Sequence, residues 1–103
     1  MEQHFQQILK HMEVAYQGVV RGNMMKSPAL SVRSKVFAFF HQNEMGFKLD
    51  QKASYFKDQY PDSRYLNPFK NKPPMKGWLI IPSKYHSDWS DLAIEAYLNM
   101  IEK

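Results

Sequence analysis

The chain contains no cysteine and no long hydrophobic run. With 103 residues and Cys 0, it cannot form a disulfide bond, a thiolate nucleophile or a cysteine-based metal site. No stretch reaches the ~18 consecutive apolar residues of a membrane span. The N-terminus, MEQHFQQILK, lacks the basic patch and apolar run of a signal peptide. These absences favour a soluble, cytoplasmic protein that does not interact with a membrane.

Sequence patterns of enzymatic chemistry are also missing. The glycines at 18, 22, 46 and 77 form neither a G-x-G-x-x-G pattern nor a phosphate-binding loop. No two of the histidines, at 4, 11, 41 and 86, lie three or four residues apart, so a shared metal ion is not expected. The segment HSDWSD (86–91) places adjacent polar residues in different directions and is typical of a helix N-terminus, with Ser87 or Asp88 as the cap. We therefore predict no catalytic residue, no metal, no cofactor and no enzymatic activity.

Apolar and aromatic residues, by contrast, are plentiful, at 44% and 15%. That content argues against a disordered chain and, with the length, predicts one globular domain over residues 1–103. Apolar residues at three- and four-residue spacing predict a helix over 2–19, with Gly18 and Gly22 marking its end and the turn beyond.

The middle and the end of the chain predict a sheet and two more helices. Strands are expected around Leu30–Val32, in KVFAFFH and in EMGFKL, joined by tight turns at Arg33–Ser34 and Gln42–Asn43. A short helix, QKASYFKDQY, is expected to be capped by Asp50 and stopped by Pro61. An edge pairing around Tyr65–Leu66, a buried strand GWLIIP and a helix from Trp89 follow. The fold class is therefore α+β: a two-layer sandwich with a mostly antiparallel sheet of four to five strands, N- and C-terminal helices and one short middle helix.

The net charge of +4 is unevenly distributed. Residues 21–84 hold twelve Lys or Arg against four acidic residues, a net of +8, between acidic ends. Arg33 and Lys35 lie at one hairpin of this region, and Lys70, Lys72 and Lys76 lie on the loop before Trp78. Aromatic residues beside cations can stack bases and hold phosphates. The alternative is that these lysines only solvate loops and that Trp78 packs in the core.

Met24 and Met25 form a second candidate contact. In an extended segment one of two adjacent methionines must face outward, which indicates a partner or dimer contact. Core filling is the alternative.

Five segments of the chain together carry a family resemblance: MMKSPAL, KVFAFF, EMGFKL, NPFKNKPPMKGWLIIP and the closing W-x-x-L-A-x-E-A helix. Over about residues 12–100 the chain resembles the TfoX N-terminal domain. The matching positions are Met24 and Met25, Lys35 with Phe37, Lys48–Leu49, Pro68–Phe69, and Met75–Lys76 with Trp78. The resemblance implies a bacterial protein with a two-layer fold related to YjbR-like domains. Longer members of this family promote transcription of competence genes and carry a helical C-terminal domain that this sequence lacks. The glycine-rich segment that often follows the first of these methionines in the family is replaced here by MKSPAL.

Two functions follow as hypotheses. The first is a small non-enzymatic protein-interaction or regulatory module, with a protein partner or a homodimer formed through an edge strand or through Met24–Met25. The second is a nucleic-acid-binding accessory factor that uses the basic loop and hairpin. A small-molecule binder would leave no recognisable mark in the sequence.

Overall fold

A computed structural model describes residues 1–67 and 71–102 of the chain. Its helices are α1 (Glu2–Ala15), α2 (Ala53–Gln59) and α3 (Trp89–Ile101), and short 3₁₀ turns at Asp50–Lys52 and Ser83–Asp88 lead into α2 and α3. Its strands are β1 (Val20–Met24), β2 (Ser27–Val32), β3 (Lys35–His41), β4 (Glu44–Lys48), β5 (Arg64–Leu66) and β6 (Met75–Pro82). No helix within the described ranges combines the length and apolarity needed to cross a membrane.

All six strands form one antiparallel sheet in the order β1-β2-β3-β4-β6-β5. The α+β class, the terminal helices and the short middle helix are confirmed. The sheet has six strands rather than four or five because Val20–Met24 adds an edge strand. Gly22, predicted to mark a turn, lies within this strand opposite Ala29.

Helix α1 is shorter than its apolar spacing predicts. It ends at Ala15 because Tyr16 is extended, with φ −125°, and Gly18 then takes a left-handed φ of +84°. Glycine adopts that conformation without steric cost. The chain therefore turns at Gly18 and enters β1.

Three tight hairpins join β1 to β4. Each two-residue turn has positive φ at both central positions, the mark of a type I′ turn, whose twist matches that of the flanking strands. The values are 49° and 73° at Met25–Lys26, 54° and 65° at Arg33–Ser34, and 50° and 62° at Gln42–Asn43. The two turns predicted from the sequence are confirmed.

The two faces of the sheet differ in size and composition. The larger core contains residues of all three helices and the inner side chains of the strands, among them Phe5, Leu9, Phe47, Ile81 and Trp89. A small cluster of strand residues covers the opposite, outer face: Ala29, Phe39, Trp78 and Ile80, with Met24, Val36 and Leu66 packed against them. The helices therefore form one layer and the sheet the other.

The two predicted aspartate caps have different outcomes. Lys52, and not Asp50, holds the N-cap position of α2; the Asp50 carboxylate accepts a hydrogen bond from Asn99 Nδ2 at 2.8 Å and lies 3.6 Å from Lys48 Nζ. Asp88, predicted with Ser87 as an alternative, does hold the N-cap position of α3, but its side chain makes no capping hydrogen bond. The Asp88 carboxylate instead accepts a hydrogen bond from the Tyr60 hydroxyl at 3.0 Å.

Candidate interaction surface

The structure separates the predicted contact residues into distinct places. Met24 and Met25 lie at the tip of the β1–β2 hairpin, on the outer face. Arg33 and Lys35 lie at the opposite end of the sheet, where β2 turns into β3. Lys72 and Lys76 are exposed on the segment that enters β6, and Lys70 lies outside the described residues. The cationic and apolar candidates therefore do not form a single site.

A groove crosses the strands on the outer face. It consists of two adjoining clefts of about 190 Å³ and 260 Å³ that share Phe39, His41 and Leu66. One cleft reaches Glu44 and Arg64 at the β5 side, and the other reaches the β1–β2 hairpin. The outer groove is defined by these residues: Met24, Met25, Phe39, His41, Glu44, Arg64, Leu66 and Ile80.

The floor of the outer groove depends on Gly46. A Cβ atom at this position would lie 2.2 Å from Phe39 Cε1 and 3.0 Å from Ile80 Cδ1, so the bare glycine makes room for the Phe39 ring. That ring also packs against Trp78, with centroids 5.5 Å apart. Trp78 is only 7% exposed and therefore supports the groove floor from the side of β6, without offering a free stacking face.

The far end of the outer groove is polar. Arg64 donates two parallel hydrogen bonds to Glu44, Nη1 to Oε2 at 2.8 Å and Nη2 to Oε1 at 2.6 Å. The hydrogen bond from Arg64 holds the pKa of Glu44 below its usual range, and the same contact raises the pKa of Arg64. Near the hairpin end, Ser27 Oγ and His41 Nδ1 are hydrogen-bonded at 3.0 Å. A polar rim thus borders an apolar floor.

Strand β1 forms an open edge beside the groove. It pairs with β2 on one side, and within the described residues no strand pairs with its other side. Val20 is 52% exposed and Met25, at the hairpin tip, is 63% exposed. Unpaired backbone N–H and C=O groups on such an edge can add another strand.

The basic residues form a separate feature at the opposite end of the sheet. Arg33, Lys35 and Lys48 line a cleft of about 240 Å³ next to Met100 of α3; we call these three residues the basic edge. Lys48 of β4 pairs with Trp78 of β6. Lys76 lies on β6 two residues before Trp78 and is therefore close to this end of β4. The ends of three neighbouring strands, β3, β4 and β6, therefore carry cations on this side of the molecule.

Some site residues were not identified from the sequence. Lys48 had a usable signal, because two successive hairpins return the end of β4 to the same side of the sheet as Arg33. Arg64 and Glu44 had none, since they are twenty residues apart and β6 separates their strands.

Among the described residues, no group of three or more His, Asp or Glu side chains is placed to hold a metal ion. Comparison with known proteins gives no further assignment: no known protein family, no curated protein and no solved structure matches this chain.

Proposed function

We propose that this chain is a non-enzymatic, cytoplasmic protein-interaction module that binds an extended protein segment along β1 and the hairpin end of the outer groove. The observation that carries the proposal is the coincidence of the open edge with the exposed apolar residues Val20 and Met25. Main-chain hydrogen bonds would supply affinity and the groove would select side chains, as in other cases of strand addition. On the sequence resemblance alone, we also propose that the chain is a relative of the TfoX N-terminal domain with a regulatory role.

Met25 is the residue that local structure explains least. It takes a φ of +49° at a turn position where asparagine, aspartate or glycine is favoured. Its apolar side chain is mostly in water. Neither the turn nor the core accounts for a methionine here, whereas an adaptable thioether suits a contact with a partner. A residue that departs from local preference without a structural gain indicates a functional position.

The edge of β1 also lacks the usual protection against strand addition. Proteins commonly blunt such edges with proline or with charges that project across them. β1 carries no proline, and its one charge, Arg21, donates a hydrogen bond from Nη2 to Gln6 Oε1 of α1 at 2.6 Å. The guanidinium is therefore held on the helix side of the sheet, and the backbone edge stays accessible.

A displayed library of random peptides, selected against the wild-type chain, tests the proposal. We expect selected peptides to bind wild type, to shift the backbone amide NMR signals of Arg21, Asn23 and Met25, and to lose binding to the Asn23→Pro variant. The matched control is Asn23→Thr, which keeps the N–H group. Peptides that bind both variants equally and shift signals elsewhere would contradict the proposal, as would a library without binders.

The basic edge favours a second candidate function, a nucleic-acid-binding accessory factor. Arg33, Lys35 and Lys48 surround one cleft, and cations placed together in this way can neutralise neighbouring phosphates. Lys48 is partly engaged by Asp50, which leaves Arg33 and Lys35 as the main expected contacts, with Lys76 on the adjacent strand. Lys72, on the segment before β6, would extend the contact.

Fluorescence anisotropy of labelled DNA and RNA at several salt concentrations tests this alternative. Binding should weaken as salt rises, and Arg33→Glu/Lys35→Glu should reduce the slope of log K against log salt by about 0.9 per lost phosphate contact on duplex DNA. Lys10→Glu/Lys26→Glu is the control with the same change of net charge on other surfaces. The variant Lys70→Glu/Lys72→Glu/Lys76→Glu tests the loop. Equal binding by the basic-edge and control variants would contradict this site.

A further inference from the structure

The register of the β1–β2 hairpin determines which groups β1 directs to the open edge. Directly opposite residues in an antiparallel pair alternate between hydrogen-bonded and non-hydrogen-bonded. Met24 and Ser27 flank the two-residue turn and form a hydrogen-bonded pair, whereas Asn23 faces Pro28, which has no N–H to donate. Alternation continues along β1, so Arg21 and Asn23 direct their N–H and C=O groups away from β2.

We infer that the segment bound at this edge is β1 of a second copy of this chain, paired antiparallel about a two-fold axis at Gly22. This inference rests on the proposed function and names its partner. In this register Arg21 of each copy faces Asn23 of the other, and these two residues carry the outward-directed groups. Each such pair exchanges two main-chain hydrogen bonds, and the symmetry makes two pairs. The two six-stranded sheets then form one continuous sheet.

The side chains of β1 match each other in the same register. Val20 and Met24 lie on the outer face with Gly22, as their pairing with Ser31, Ser27 and Ala29 requires. Each Val20 would face Met24 of the second copy, which covers a valine that is now 52% exposed. Directly opposite side chains on one face of a sheet are the contacts that stabilise strand pairing.

Charge opposes the pairing only weakly. The two Arg21 residues are not directly opposite but lie diagonally across the two-fold axis, roughly 7–8 Å apart, and each guanidinium is held toward Gln6 of its own α1 by a hydrogen bond. The net charge of +4 on each copy produces only a long-range repulsion, which salt screens. Self-association should therefore strengthen with salt, whereas nucleic-acid binding by the same chain would weaken.

Cysteine cross-linking tests the register, since the chain has no cysteine of its own. Val20 and Met24 of the second copy would form a non-hydrogen-bonded pair with Cα atoms about 4.5 Å apart, within the range that a disulfide spans. Oxidised Val20→Cys/Met24→Cys should run as a covalent dimer on a non-reducing gel. Val20→Cys and Met24→Cys alone should remain uncross-linked, because identical positions lie roughly 13 Å apart along the strands. A double variant that stays monomeric, or single variants that cross-link equally well, would overturn the inference.

Sedimentation equilibrium of the unmodified chain supplies the non-covalent test. We expect a monomer–dimer equilibrium whose dissociation constant rises about tenfold or more in Asn23→Pro, which removes one intermolecular N–H donor from each copy, but changes little in Asn23→Thr. Asn23→Pro removes no hydrogen bond to β2, because its N–H points to the edge, and circular dichroism checks that the variant is folded. A dimer indifferent to Asn23→Pro would overturn the inference. A chain that is monomeric at every concentration, yet still binds selected peptides at β1, would overturn self-pairing and leave the proposed function standing.

Discussion

Gly46 decides where the Phe39 ring lies. A Cβ at position 46 would lie 2.2 Å from Phe39 Cε1, and Phe39 is only 6% exposed. The aromatic ring shields the glycine backbone of the next strand, an arrangement known to compensate for glycine in sheets. The glycine is therefore required by packing, and its φ is not in the left-handed region.

Gly46→Ala should destabilise the chain by about 1–3 kcal/mol, because the Phe39 ring must leave a well-packed position. Urea denaturation measures the loss. In a Phe39→Leu background, where the smaller side chain leaves space, the same substitution should cost clearly less, and the difference is the coupling between the two positions. Equal costs in both backgrounds would show that the Phe39 ring is not what excludes a side chain at position 46.

Tyr60 makes stability depend on pH in the alkaline range. Desolvation by burial and the hydrogen bond to Asp88 raise the pKa of Tyr60 to about 12, from an ordinary value of 10.0. The phenol is thus harder to ionise in the folded chain than in the unfolded one. The contribution of the neutral Tyr60 phenol to the free energy of unfolding is complete below pH 10 and is lost as the pH rises from 10 through 12.

Tyr60→Phe should therefore lose about 1 kcal/mol at neutral pH, through the missing hydrogen bond, and should lose less additional stability than wild type between pH 10 and 12. Urea midpoints across that range measure both effects. Tyr55→Phe is the control, since the Tyr55 ring is 61% exposed. A wild type and a Tyr60→Phe variant with parallel alkaline profiles would contradict the proposed role of the phenol.

The three hairpins have type I′ backbones but few of the residues that favour them. All six central turn residues have positive φ, none is glycine, and only Asn43 is of a type that adopts this conformation readily. A left-handed conformation costs an ordinary L-residue roughly 1–2 kcal/mol, so the turns are held mainly by the pairing of their strands. The β1–β2 turn, Met25–Lys26, lies at the hairpin that presents the proposed contact surface.

Lys26→Gly should stabilise the chain by about 0.5–1 kcal/mol, because glycine adopts the φ of +73° at position 26 without strain and loses only part of that gain to backbone entropy. Thermal and urea unfolding measure the change. The matched control is Lys35→Gly, an exposed lysine at the start of β3 outside the positive-φ positions, which should lose about 0.5–1 kcal/mol. Loss of stability in both variants would show that backbone strain at position 26 does not lower the stability of the chain.

The spacing of apolar residues along the sequence predicted most helices and strands. It failed where contacts between distant residues determine the structure. The alternation of Met45, Phe47 and Leu49 was enough to place β4. β1 has almost no apolar alternation, since it is an edge strand exposed at Val20, Arg21 and Asn23, so the sequence offered no period to detect. The run GWLIIP is apolar on both faces and could not indicate which residues would support the outer groove. Pairings such as Arg64–Glu44 depend on strand order, which the sequence of a single chain does not display.

At the scale of the whole molecule, the two layers share one hydrophobic core. Helix α1 contributes Phe5, Leu9 and Met12, each at most 1% exposed, and the Tyr97 hydroxyl of α3 donates a hydrogen bond to the Gln17 carbonyl at 2.8 Å. Tryptophans report on the two sides separately: Trp89 lies in the helix-side core and Trp78 in the outer cluster. Because the same six strands carry both clusters, we expect the two sides to unfold together.

Leu9→Ala tests that cooperativity. It removes a side chain that is 1% exposed and should cost about 2–5 kcal/mol through lost burial and the cavity left behind. Val14→Ala on the same helix, where the valine is 90% exposed, should change stability by less than about 0.5 kcal/mol.

In a Trp89→Phe background Trp78 is the remaining tryptophan. Its emission in urea should then shift at the same midpoint as the far-ultraviolet circular dichroism, with and without Leu9→Ala. A Trp78 transition that stays at its original midpoint while the dichroism midpoint falls would mean that the outer cluster, and the groove on it, holds together independently of the helical layer.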